Sequence, residues 1–361
     1  MVDAVQKRPK RYIDTWLLVR IVVGILIGAY LLWRLWMIFF VEQPYGPDTW
    51  VRFLISGVIL GAVYAVIALG YTLVYGILFM INFAHGDVMM LGCFAGYFTL
   101  EIFSGTGFLN QSFGSSILAL IVTFFVGMTV STLIAVALER IAYRPLRMAP
   151  RLVPLISAIG ASLFLENLAQ LMFGAARHTY TNPEFLERNT GWTLMVAGEE
   201  VLLTYTGVLT IVLSILLMGG LWLLVQRTKM GMAMRAVAED KHTAALMGID
   251  VDRVIGNTFA ISGALAGAAG VMWGLHMGIV YHFVGFIPGL KAFTAAVMGG
   301  IGNVPGAMLG GLSLGVLEAV GPAVLGIPFQ LKDVVAFSIL VLVLIFRPTG
   351  LLGEVLAEKK A

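Results

Sequence analysis

The sequence predicts an all-α, polytopic membrane protein of about 8–10 transmembrane segments, some of them broken or re-entrant helices. Two observations carry this prediction. Of 361 residues, 59% are hydrophobic and 12% charged, where a soluble domain carries about a quarter charged residues, and the mean hydropathy is +0.94. The apolar residues also fall in runs of roughly twenty, the length that crosses a hydrocarbon core of about 30 Å as a helix.

Taken in order, the first run covers residues 16–40. It follows a basic flank (Lys7, Arg8, Lys10, Arg11) and has no small-residue cleavage site after it, so it is a retained span and not a signal peptide. Arg20 and Arg34 lie inside it, placed to snorkel toward opposite interfaces beside Trp16, Trp33 and Trp36. Further runs cover residues 53–80, 88–103, 115–138, 152–173, 203–225, 254–280, 290–301, 305–325 and 331–346. Residues 290–301 are too few to cross as an ordinary helix, so this piece is re-entrant or crosses jointly with its flanks.

Positive charge sets the orientation. The basic amino-terminal tail, the connector with Arg140, Arg144, Arg147 and Arg151, and residues 226–253 hold most of the Lys and Arg and are expected in the cytoplasm. Residues 104–116 carry no charge and residues 174–203 have four Glu against two Arg, which suits the opposite side. A cytoplasmic carboxyl terminus (Lys359, Lys360) then requires an odd number of crossings after residue 280. The net charge of +3 belongs to this orientation, because no basic patch interleaved with aromatics marks a nucleic-acid groove.

Many of the 42 glycines recur at four-residue spacing: Gly24 and Gly28, Gly57 and Gly61, Gly92 and Gly96, Gly263 and Gly267, Gly306 and Gly310, Gly311 and Gly315. Small faces of this kind let helix backbones approach closely. The densest cluster, MGGIGNVPGAMLGG at residues 298–311, predicts a helix interruption at membrane depth. A second interruption is expected in MINFAHGD, residues 80–87, where Asn82, His85 and Asp87 separate two apolar runs. Non-helical backbone at such depth is tolerated where it lines a cavity.

Enzymatic chemistry has no foothold. There is no GxxxxGK[ST] phosphate loop, no HExxH and no GxSxG. The single Cys93, in an apolar stretch, excludes an intrachain disulfide framework or a cysteine metal cluster and is expected to be a packing residue. No cofactor or metal is expected, and none of the enzymatic motifs sought is present.

Against this oily background, residues 226–253 (QRTKMGMAMRAVAEDKHTAALMGIDVDR) stand out, with five basic and four acidic side chains. Arg235, Glu239 and His242 fall at i, i+4 and i+7, one face of a helix, with Met234 and Val237 elsewhere. Either a solvated surface or a docking helix fits that face.

Six blocks in order carry a family likeness: YGILFMINFAHGD (75–87), ERIAYRPLR (139–147), ISAIGASLFLEN (156–167), RAVAEDKHTAALMGIDVDRVI (235–255), KAFTAAVMGGIGNVPGAMLGG (291–311), and KDVVAF with RPTGLLG (332–353). The chain resembles the LivH-type permease subunits of branched-chain amino acid ABC importers. The resemblance implies an inner-membrane permease half, a second LivM-like permease, two cytoplasmic ATP-binding subunits and a periplasmic substrate-binding protein. It also implies a cytoplasmic helix that docks on the ATPase, for which Arg235, Glu239, Asp240, His242 and Gly248 are the candidates. Residues 1–47 exceed the family pattern as an extension with its own span. Residues 48–353 form the permease domain and residues 354–361 a cytoplasmic tail.

Asn82, His85, Asp87 and Asn303 are the candidates for the substrate path or gate, since polar groups at membrane depth usually face a cavity. Asp87 has a second reading as the cap of a helix starting at Val88. Glu166 and Asn167, late in their span, are placed at the outer mouth. Glu318 is deep enough to need a partner or a proton, and Lys291 is a possible partner. The expected substrate is leucine, isoleucine, valine or a related small amino acid. Urea, amides and aromatic acids are alternatives, and an ion-coupled secondary transporter using Asp87 and Glu318 is the reading from another class.

Overall fold

Pro47 at the first helical position and Asp48 in the first turn start a helix of 32 residues, because proline's missing N–H has no partner to lose there and a carboxylate meets the positive helix end. This helix organises the molecule. The computed structural model describes residues 15–353 apart from Met148, Arg151 and Pro348, with side chains from Val19 onward. The basic residues at 7–11, Lys359, Lys360, the tail 354–361 and the Trp16 and Arg151 side chains therefore lie outside the described residues.

The helices are α1 (Thr15–Trp36), α2 (Pro47–Leu78), α3 (His85–Gly105), α4 (Phe113–Leu138), α5 (Leu152–Phe173), α6 (Tyr205–Arg227), α7 (Lys229–Glu239), α8 (Lys241–Leu246), α9 (Val251–Met277), α10 (Phe286–Gly299), α11 (Val304–Leu325) and α12 (Lys332–Phe346). Among the described residues, nine helical stretches are long and apolar enough to cross a membrane, and α10 is a tenth, shorter apolar helix. The expected polytopic helical architecture stands. Four short strands accompany it: β1 (His178–Thr179) pairs antiparallel with β4 (Ile279–Val280), and β2 (Gly191–Val196) forms a hairpin with β3 (Glu199–Thr204), Gly191 opposite Thr204.

At the centre, α2 packs against α6, α9, α10 and α11, while α3, α4 and α9 form a second tight group. Small residues explain the first contact. A side chain added at Gly311 would strike the backbone of Ala65, and one at Gly315 would strike Gly61 and Gly57, so α2 and α11 touch backbone to backbone. Gly263 and Gly267 do the same for α9 against Ser131, Gly127 and Met128 of α4. The four-residue glycine pairs thus sit at helix contacts, with one correction: Gly28 on α1 faces open space. α1 lies at the periphery, exposing Ile25, Leu26, Leu32 and Trp36, and touches the bundle where Gly24 meets the Phe346 ring and Arg34 donates to the Val324 carbonyl at 3.4 Å. Cys93 is fully buried, as a packing residue should be.

The bundle has one basic end and one mixed end. At the basic end, Arg144 and Arg147 both clasp Asp252 at the start of α9, and Arg147 also pairs with Glu139. The carboxyl-terminal strap joins them there: Leu351 and Leu352 donate backbone hydrogen bonds to Met298 and Gly299 at 2.8 and 3.0 Å. At the opposite end, Arg52 donates to the Glu200 carbonyl of the β2–β3 hairpin, and the Tyr180 amide donates to Gly278 at 2.9 Å.

With 14 residues α10 rises about 21 Å, short of a hydrocarbon core of about 30 Å. It starts beside Gly86 and ends at the basic end, where the turn 300–303 lies against the strap, and α11 runs back from that turn. Gly300 (φ 107°) and Gly302 (φ 95°) adopt backbone conformations closed to most side chains and reverse the chain, so the predicted interruption at 298–311 is a helical hairpin, not a kink in one continuous helix.

Candidate functional site

The second predicted interruption is a break between two helices. α2 ends at Leu78 with Phe79 in the left-handed region (φ 55°), and α3 begins at His85. The two ends are not level. The His85 ring occupies the space that a side chain at Gly70 would need, and Gly70 lies eight residues, about 12 Å, before the end of α2. Residues 79–84 therefore fold back toward the bundle interior before α3 starts. The first turn of α10 arrives at the same place, with Gly285 and Gly289 against Gly86. Two helix amino termini, each a positive dipole end, meet around Gly86.

The polar residues of the break are buried. Asn82 is 4% exposed and accepts a 2.6 Å hydrogen bond from the Tyr143 hydroxyl. His85 stands edge-on to Tyr71, ring centroids 4.7 Å apart, with Nδ1 3.4 Å from the Ser262 hydroxyl, which is itself 3.1 Å from the Gly70 carbonyl. Asp87 accepts from the Ser162 hydroxyl at 2.5 Å. The capping reading of Asp87 is corrected here: the helix starts two residues earlier, Ala84 is its cap, and Asp87 lies in the first turn with its side chain turned across to α5. Glu166 is corrected too. It is buried against Asp87 instead of standing at the outer mouth, whereas Asn167 is exposed and bonds back to the Leu163 carbonyl of its own helix at 2.7 Å.

Asn303 does not bond into this cluster. Its side chain caps α11, accepting from the Gly306 amide at 3.0 Å, and donates to the Leu352 carbonyl at 2.8 Å. Of the four path candidates, the structure brings together Asn82, His85 and Asp87 and leaves Asn303 at the basic-end turn. Sequence reasoning missed Ser162, Tyr143 and Tyr71 as neighbours of Asp87; a lone hydroxyl in an apolar run carries no signal of the helix it will face.

The polar segment 226–253 lies at the basic end as two helices, not one. Asp240 has extended backbone (φ −155°) and its carboxylate accepts from the His242 and Thr243 amides at 2.8 and 3.2 Å. That cap satisfies the free donors of α8 and outweighs continuation of α7. The single face Arg235–Glu239–His242 is therefore corrected: Arg235 and Glu239 share α7, and His242 begins a separate helix. Met234 and Val237 are buried under α7, as their spacing implied. Arg235 bonds to Gln226 at 2.6 Å and lines a small cavity with Thr72, Gly76, Gly302 and Val304, which places α7 against both the end of α2 and the α10–α11 turn. Gly248 (φ 82°) closes α8 beside Leu246 and Met247, apolar side chains that are 75% and 78% exposed. Lys241, half-buried near Arg147, titrates below the ordinary lysine range, because burial disfavours its charge and the guanidinium repels it.

Residues 53–344, from α2 through α12, match the family model described as branched-chain amino acid transport system / permease component. The chain belongs to this permease family. Its relatives include the high-affinity branched-chain amino acid transport system permease protein BraD of Pseudomonas aeruginosa, 44% identical over 310 residues, covering 85% of this chain and 96% of that protein. The permease protein LivH of Escherichia coli is 43% identical over 314 residues (84% and 96%), and a probable LivH of Methanocaldococcus jannaschii is 30% identical over 299 residues (80% and 87%). No solved structure matches the chain. The family match begins within α2, so α1 stands outside it, while the Asn82–Asp87 break, α7, α8 and the α10–α11 hairpin all lie within the permease body. Among the described residues no group of side chains suits a metal ion.

Proposed function

We propose that this chain is the membrane-spanning permease subunit of an ATP-driven importer for branched-chain amino acids. The observation that carries the reading is the family match across the permease body. The importer would contain a second permease, two cytoplasmic ATP-binding subunits and a periplasmic binding protein, with the basic end of this chain in the cytoplasm of a bacterial inner membrane. The positive-inside bias of Arg140, Arg144, Arg147, Arg227 and Arg253 supports that orientation.

Within this reading α7 and α8 form the ATPase platform. Arg235 and Glu239 on α7 and the exposed Leu246 and Met247 at the end of α8 offer charged and apolar contacts together, and α7 rests on the turn that joins α10 to α11. Movement of the platform is passed to that hairpin and, through its backbone contact with α2, to the centre of the bundle. The break at Asn82–Asp87 is the gate region: the paired amino termini of α3 and α10 favour a substrate carboxylate, and Asp87 favours its ammonium group.

The test is uptake of radiolabelled leucine by proteoliposomes holding the complete importer, with and without ATP, in competition with isoleucine, valine, urea, amides and aromatic acids. ATP-dependent uptake blocked by isoleucine and valine is expected. Uptake indifferent to ATP, or blocked by urea and not by valine, would overturn the reading.

A further inference from the structure

We infer that the charged cluster Lys291–Glu318–Lys332–Asp333, which shares no side chain with the Asp87 break, is a holding site for an amino-acid zwitterion. The inference rests on the amino-acid substrate proposed above and adds a second position along its route. Glu318 is 1% exposed, about 10 Å before the end of α11, and its Oε1 is 2.7 Å from the Lys291 ammonium. Lys291 is held in turn by Asp333 at 2.6 Å and is 3% exposed. Two cations and two carboxylates balance, and the cluster opens to the surface at Lys332 and Asp333. The Tyr64 hydroxyl lies beside the Glu318 carboxyl group.

The Lys332 ammonium, 3.4 Å from Glu318 Oε1, has a side chain 45% exposed, in a groove lined also by Phe53, Ser56, Leu60 and Phe329. The groove thus offers three things at once: a buried carboxylate, a cation able to swing outward, and an apolar wall. These are the complements of an ammonium, a carboxylate and an aliphatic side chain. A bound zwitterion exchanges one ammonium for another: its own replaces that of Lys332 at Glu318, and Lys332 turns to the ligand carboxylate. Charge is conserved, and no ion is left buried without a partner.

A thiol probe tests this. Cys93 is fully buried, so Ser56→Cys introduces a reactive thiol into the groove. In the complete importer, leucine at about twice its dissociation constant should slow labelling of that thiol about threefold, since the free fraction falls as one over one plus the ligand ratio. Leucinol, which lacks the carboxylate, should not protect. Adding Lys332→Gln should abolish protection by leucine, and Lys332→Arg should retain it. Absence of labelling, labelling unaffected by leucine, or protection that survives Lys332→Gln overturns the inference. Uptake by the Ser56→Cys importer is measured in parallel: ATP-driven leucine uptake without protection rejects this site alone, whereas loss of leucine uptake in the parent importer rejects the proposed function.

Discussion

The Lys291 ammonium and the Glu318 carboxylate, from the two arms of the α10–α11 hairpin, meet at 2.7 Å with side chains 4% and 0% exposed. Each arm contributes a charge that is costly to bury alone, so their pairing fixes the register in which α10 and α11 align. That register also places Gly299 against Gly306 and Ala295 against Gly310.

Lys291→Met should therefore destabilise the subunit by about 3–5 kcal/mol, because Glu318 remains buried without its main partner. Lys291→Met combined with Glu318→Leu should recover most of that loss. Thermal unfolding of the purified complex checks both; equal losses in single and double variants would show that packing, and not the charge pair, holds the hairpin.

Replacing Asp87 by Asn should alter leucine uptake while the importer still assembles, since Asn keeps a group able to meet the Ser162 hydroxyl. Ser162→Ala leaves the buried Asp87 carboxyl without this partner and should cost about 1–3 kcal/mol. Uptake kinetics and gel filtration separate the two effects, and normal kinetics with Asp87→Asn would leave the residue a structural role only.

Loss of the cap through Asp240→Ala should cost about 1 kcal/mol and fray the start of α8. Amide hydrogen exchange should quicken at His242 and Thr243, with α7 protected as before. Unchanged exchange at both amides would contradict the capping role.

Single replacement of Arg235 or Glu239 should weaken the coupling of ATP hydrolysis to uptake in the reconstituted importer, leaving basal hydrolysis in the partner subunits. Coupling ratios are measured from hydrolysis and uptake on the same vesicles. Retained coupling in both variants would reject α7 as the docking helix.

Gly311→Leu should abolish assembly, because the side chain would occupy the backbone of Ala65 and α2 cannot retreat from α11 without losing the contacts of Gly57 and Gly61. Gly28→Leu, on open space, should assemble normally. Yield of intact complex reports both.

Composition and periodicity were enough to establish a helical membrane protein, its ten apolar segments, its basic and mixed ends and the two interruptions, because the bilayer's thickness and the cost of buried charge act on every residue separately. The blocks of motif were enough to indicate the permease family. Only the tertiary structure decided which polar groups meet. Ser162 and Tyr143 join the Asp87–Asn82 break from helices remote in sequence, Asn303 is drawn away to cap α11, and Asp240 divides one expected docking helix into two. Side-chain pairing across helices depends on rotation and depth, and these are set by close approach at small residues such as Gly311, which admits the backbone of Ala65, and Gly70, which admits the His85 ring.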